Sequence, residues 1–161
     1  MSTETTEHES VPRLPLKFAV LCFAVLGGSY VVNAVDRQVF SMLLPFVMKE
    51  YHFPLQSGGL LVSIFTLGIG LAGIPAGYLM ARLSRKAVMM IAITIYSIFT
   101  ILTAYASGFN DMLLCRTATG LGEGMQMAAL YAACGAYFPK RRTLIFALLS
   151  VFLVLGTSLV P

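Results

Sequence analysis

The chain has 161 residues, of which 58% are hydrophobic and 11% charged; a soluble domain carries about 25% charged residues, so a water-soluble globule is excluded. The same apolar content excludes disorder, and the three cysteines (Cys22, Cys115 and Cys134) lie in apolar stretches at no metal or redox spacing. The net charge of +4 stands in short groups between long uncharged runs rather than on one solvated face, which excludes nucleic acid and leaves a membrane protein.

In chain order, residues 1–14 are polar, with Glu4, Glu7 and Glu9, and are expected to form a disordered cytoplasmic tail. The apolar run that follows Arg13 and Lys17 continues beyond signal-peptide length with no convincing cleavage site, so it is expected to stay in the protein. Five stretches are long enough for a hydrocarbon core of about 30 Å, at about 16–45, 56–80, 87–107, 112–137 and 143–161. The expected fold class is therefore an all-α membrane protein with about five transmembrane helices, residues 15–161 forming one helical bundle. Lys49-Glu50-Tyr51-His52 leads through Pro54 and Ser57 into the second span. Arg82–Lys86, Ser107–Asp111 and Pro139–Arg142 make the remaining connections, and Pro75 is expected to kink the second span. The last run reaches Pro161 with no polar exit, so the chain is expected to be truncated in or after its fifth span.

Arg13, Lys17, Arg82, Arg85, Lys86, Lys140, Arg141 and Arg142 all fall on one side of this map, and Lys49 alone on the other. The positive-inside rule then places the N-terminus in the cytoplasm, with the protein in the plasma (inner) membrane.

Asp36, Arg37, Arg116 and Glu123 fit in no connection. One charge at mid-membrane costs about 2.5–3.5 kcal/mol on insertion scales, so such residues pair or face water, and by default mark a functional site. Arg116, Gly120, Glu123 and Met127 share one helical face, as do Tyr30, Asn33 and Arg37. Asp36 points about 100° away from Arg37, so each needs a partner on another helix. Counted from Pro45 and Asp111, the depths are about 14 Å for Asp36, 8 Å for Arg116 and 18 Å for Glu123, consistent with one shared cavity. Tyr30, Asn33, Met127 and Tyr131 are candidates to line it.

Gly68-Ile-Gly70-Leu-Ala-Gly73 matches a dinucleotide fingerprint, but inside a charge-free span it lacks the strand and the later acid that such a site needs. Gly73-x-x-x-Gly77 and Gly120-x-x-x-Gly124 read better as small residues that let helices approach. No nucleophile-elbow, zinc or P-loop pattern occurs, so no enzyme, cofactor or metal is expected.

From about Pro15 onward the pattern resembles the major facilitator superfamily. Gly77-Tyr-Leu79-Met-Ala81-Arg82-Leu-Ser84-Arg85-Lys86 is similar to its G-x-L-a-D-r-x-G-r-k signature, with Ala81 in place of Asp and Ser84 in place of Gly. In that family the Asp helps to latch two halves together, and its absence puts the latch in question here. The resemblance marks Gly77, Arg82, Arg85 and Lys86 as a conformational loop. Asp36-Arg37, with Arg116-x-x-x-Gly120-x-Gly122-Glu123-Gly124, resembles the anion:cation symporter branch, which includes sialin, the vesicular glutamate transporters and sugar-acid carriers. Spinster-type lipid transporters have a similar layout. The branch implies proton-coupling roles for Asp36 and Glu123, and substrate-binding roles for Arg37 and Arg116, with Tyr30 and Asn33 alongside. It implies symport of a small organic anion, a carboxylate or other anion, with protons, by rocking against a C-terminal half that this chain lacks. Proton-driven export of drugs or amphipathic lipids is the first alternative. A non-transporting membrane scaffold, in which the charges only lock helices, is the second.

Overall fold

In lipid every backbone N–H and C=O must be satisfied within the protein, which favours helices for these apolar runs. The computed structural model describes residues 16–159. The tail expected over 1–14 with Arg13, and residues 160–161 of the fifth span, lie outside the described residues. The helices are α1 (Leu16–Glu50), α2 (Leu55–Leu71), α3 (Gly73–Met80), α4 (Arg85–Thr103), α5 (Phe109–Tyr137) and α6 (Arg142–Ser158), with a 3-10 turn over Pro139–Arg141. The fold is all-α, as expected.

The first helix does not end near Pro45 but continues through it to Glu50. Proline removes one i→i−4 hydrogen bond. The next turn is nevertheless held, because Val47 packs with Phe40, Leu44, Phe53 and Phe109 around Leu61, Ala106 and Met112. The helix stops where His52 takes a left-handed conformation (φ 54°) and the Phe53 N–H reaches back to the Met48 carbonyl at 2.9 Å. The second span is broken as Pro75 predicts. Pro75 has no N–H for the Leu71 carbonyl, and the helix divides at Ala72 into α2 and α3.

Val20–Glu50, Leu55–Met80 and Arg85–Thr103 are long and apolar enough to cross a membrane, and α6 is a shorter apolar helix. Phe18, Val25, Phe46, Ile74, Ile101 and Val154 are among many large apolar side chains on the outside, a surface suited to acyl chains rather than water. The protein is an integral, multi-pass membrane protein. Helix α5 is long but more polar, because it runs through the middle of the bundle with Arg116, Thr119, Glu123 and Gln126 buried along it. It packs against α2, α3 and α4, whereas α1 lies mainly against α6.

Glycine makes the α5 contacts possible. A Cβ at Gly124 would stand 2.5 Å from the Ala72 Cβ and 2.6 Å from the Ile69 carbonyl oxygen, and one at Gly122 would stand 2.9 Å from the Tyr96 Cβ. The close approach expected at Gly120-x-x-x-Gly124 is therefore present. At Gly73-x-x-x-Gly77 it is not, since neither glycine has a neighbour within 4 Å. The packed stripe on that span is Gly68, Ala72 and Ala76, one residue out of phase with the motif.

At one end of the bundle Tyr51 Oη donates to the Ala106 carbonyl at 2.9 Å, and Phe53 meets Phe109 edge-on at 5.6 Å. This joins the first connection to the third. At the other end Leu21 and Cys22 of α1, Arg85 and Lys86 of α4 and Tyr137 of α5 line one groove of about 310 Å³. The basic connections thus gather at a common end of the bundle.

Candidate functional site

Helices α1 and α5 run antiparallel and exchange polar side chains across their interface. Arg37 Nε donates to Glu123 Oε2 at 2.8 Å, and Arg37 Nη2 reaches Met127 Sδ at 3.2 Å. Arg116 Nη1 lies 3.9 Å from Asp36 Oδ2, an ion pair too long to be a hydrogen bond. Asp36 and Arg37 thus turn to different partners on α5, as their angular separation requires. Both arginines also lie over aromatic rings, Arg116 at 3.5 Å from the Phe40 centroid and Arg37 at 5.8 Å from that of Phe65.

The two pairs differ in burial. Glu123 is 0% exposed and held by Arg37, whose side chain keeps 26% of its exposure. Arg116 is 5% exposed and Asp36 22%. Asp36 Oδ2 and Arg116 Nε are buried without a hydrogen-bond partner, as is Thr100 Oγ1 beside them. Asp36, Phe40, Thr100, Thr103, Met112 and Arg116 border a cavity of about 270 Å³ between α1, α4 and α5. Of the four charges, this cavity is lined by Asp36 and Arg116, and Arg37 and Glu123 are not part of its lining.

The depths also change. From the Glu50 end of α1, Arg37 is about 20 Å along the axis, and from the Phe109 start of α5, Glu123 is about 21 Å. With α1 continuing to Glu50, Arg37 stands level with Glu123, while Asp36, about 21 Å from Glu50, lies deeper than Arg116, about 10 Å from Phe109.

Tyr30 and Asn33 belong to the same interface but are buried in it. Tyr30 Oη lies 3.4 Å from Tyr131 Oη, and Asn33 Nδ2 donates to Gln126 Oε1 at 3.3 Å. Gln126 Nε2 in turn donates to Ser29 Oγ. Gln126 and Ser29 escaped the sequence reading, although Gln126 stands three residues after Glu123 and so on the same face. Phe40 and Phe65 gave no signal, since an aromatic residue beneath a guanidinium looks like any other apolar position.

In the loop between α3 and α4, the Arg82 guanidinium sits 4.3 Å from the Tyr78 ring centroid. Ser84 caps α4, its Oγ accepting from the Ala87 N–H at 3.2 Å. The Gly-to-Ser departure from the signature thus has a local function. Arg85 and Lys86 open onto the apolar groove described above, and Gly77 stands free of neighbours.

Such a site holds two cationic groups, each facing one carboxylate across the same helix pair. An anion that enters competes with Asp36 or Glu123 for a guanidinium, and a proton on either carboxylate weakens its hold.

The family model of the Major Facilitator Superfamily matches residues 26–161. The chain is 29% identical to a hexuronate transporter of Bacillus subtilis over 76% of its own length and 29% of that protein's. It is 28% identical to the niacin transporter NiaP of Acinetobacter baylyi, over 91% of the chain and 34% of the relative. To the 4-hydroxybenzoate transporter PcaK of Pseudomonas putida it is 25% identical, over 83% and 29%. The chain thus spans about a third of the length of these curated relatives.

Proposed function

Because the chain belongs to the Major Facilitator Superfamily, we propose that it forms the N-terminal part of a proton-coupled symporter for a small organic anion. In this reading the bundle works with an opposing C-terminal half and alternates access to a site between them. The end that carries Arg82, Arg85, Lys86, Arg141 and Arg142 is cytoplasmic, as is the N-terminus, and the membrane is the plasma (inner) membrane. Asp36 and Glu123 take up the protons, while Arg37 and Arg116 attract the substrate anion. Gly77 of α3, Arg82 in the connection, and Arg85 and Lys86 in the first turn of α4 form a hinge region that moves as the halves rock.

The observation that carries the proposal is the double ion pair within the bundle, Arg37–Glu123 at 2.8 Å and Arg116–Asp36 at 3.9 Å. Burial favours the neutral carboxyl and a guanidinium favours the ionised one, so occupancy of each arginine by a substrate carboxylate is linked to protonation. The relatives' names support an anionic cargo, since hexuronate, niacin and 4-hydroxybenzoate each bear one carboxylate.

The test is uptake of these three acids by the full-length transporter in proteoliposomes, with and without a pH gradient. Accumulation should require the gradient, and Asp36→Asn or Glu123→Gln should abolish it. Gradient-independent accumulation, or wild-type uptake by both variants, overturns symport; efflux driven by inward proton flow would mark an exporter instead.

A further inference from the structure

Between the Arg37–Glu123 pair and the two tyrosines lies a run of neutral amides. Asn33 and Gln126 are both buried, Asn33 Nδ2 donating to Gln126 Oε1 and Gln126 Nε2 to Ser29 Oγ. Two acceptors are left over. Asn33 Oδ1 and Glu123 Oε1 are buried with no hydrogen-bond partner. Arg37 does not serve the second, because its Nε bonds Glu123 Oε2 and its Nη2 is turned to Met127 Sδ.

Asn33 and Arg37 are one turn apart on α1, and Glu123 and Gln126 one turn apart on α5. Arg37 pairs with Glu123 and Asn33 with Gln126, so Asn33 and Glu123 occupy adjacent rungs of one ladder. An unsatisfied buried acceptor is destabilising, and a proton on one of these two would supply the donor that both lack. Neutral Asn has its donors on nitrogen alone, and an ionised carboxylate has none. Other charged or titratable groups stand within electrostatic reach of Glu123: Asp36 and Arg37 from α1, Tyr96 from α4 and Arg116 on α5. Arg116 lies two helical turns, about 10 Å, along α5 and faces Asp36.

We infer that Asn33 is the positioning residue for the proton on Glu123, its Oδ1 accepting a hydrogen bond from the protonated Oε1. This rests on the reading of Glu123 as a proton site. Glu123 O–H then donates to Asn33, Asn33 to Gln126 and Gln126 to Ser29, every link in the same direction. Each amide accepts at oxygen and donates at nitrogen, so successive dipoles align and strengthen one another. The proton itself stays on Glu123. Its presence satisfies both stranded acceptors and leaves Arg37 facing a neutral partner, ready to take a substrate carboxylate. Asn33 therefore acts through Glu123 and does not touch the substrate.

Infrared difference spectra of the full-length transporter in liposomes, between high and low pH, test this. The carboxyl C=O band lost in Glu123→Gln identifies the protonated Glu123. In Asn33→Leu that band should move to higher wavenumber, the position of a carboxyl that donates no hydrogen bond. Gln126→Met leaves Asn33 in place but unanchored, and should give a smaller shift in the same direction. Without any change at this interface, the wild-type Asn33 carboxamide band, located with ¹³C-labelled asparagine, should move to lower wavenumber as Glu123 protonates. An unmoved Glu123 band in folded Asn33→Leu, or an unresponsive carboxamide, overturns the inference and leaves Glu123 as a proton site. If no band is lost in Glu123→Gln at any pH, Glu123 does not titrate and both readings fall.

Discussion

A single methyl group added at Gly124 should separate α5 from α2. In Gly124→Ala the new Cβ would stand 2.5 Å from the Ala72 Cβ, 2.6 Å from the Ile69 carbonyl oxygen and 2.8 Å from the Ile69 Cα. None of these atoms can swing aside, so α2 must retreat by roughly 1 Å to restore ordinary contact, which forfeits a quarter to a half of the dispersion energy along the seam. Overpacking of this kind costs about 1–3 kcal/mol, and the helix propensity gained on replacing glycine by alanine returns up to about 1. With the full propensity gain returned, the expected net loss is about 0–2 kcal/mol. Gly77→Ala is the control. Gly77 lies in a motif of the same form but has no atom within 4 Å, so only the propensity gain applies and stability should rise by up to about 1 kcal/mol. Equilibrium unfolding of the 161-residue chain in mixed detergent micelles, followed by circular dichroism, measures both. Equal shifts in the two variants, or a more stable Gly124→Ala, would refute the assignment of the α5 glycines to the helix contact.

Arg37→Met should destabilise the same chain by about 3–5 kcal/mol, because fully buried Glu123 loses its partner at 2.8 Å; adding Glu123→Gln should recover most of this, as the same unfolding assay would report. Ser84→Ala should cost about 0.5–2 kcal/mol through loss of the α4 cap, whereas Ser84→Gly, which restores the residue of the signature, should cost only a few tenths; amide exchange over Arg85–Val88 reads the fraying directly.

Much of the architecture was legible in the amino-acid order. Lipid tolerates almost no unpaired charge, so uncharged runs and basic breaks mark spans and connections with little interference from packing. Pro75 divides the second span as its missing N–H demands. Pro45 misled, because a proline weakens a helix locally while the cluster around Leu61 and Met112 holds the next turn from outside it. The glycine motifs misled by half for a similar reason. Spacing shows that two small residues share a face, but not whether another helix lies against that face. Gly120 and Gly124 meet α2, while Gly73 and Gly77 look outward.

The sequence alone determined that this is a helical membrane protein, and that Asp36, Arg37, Arg116 and Glu123 must find partners on other helices, since neighbours about 100° apart on one helix cannot serve each other. Tertiary structure decided which partners. Arg37 meets Glu123 at the same depth on antiparallel α1 and α5, and Asp36 reaches the shallower Arg116 across the same helix pair. It also decided that Tyr30 and Asn33 lie within the helix seam, where Tyr30 meets Tyr131 and the Asn33 amide nitrogen donates to Gln126. Depth and lateral placement depend on the summed packing of every helix, whereas periodicity within one helix specifies only direction.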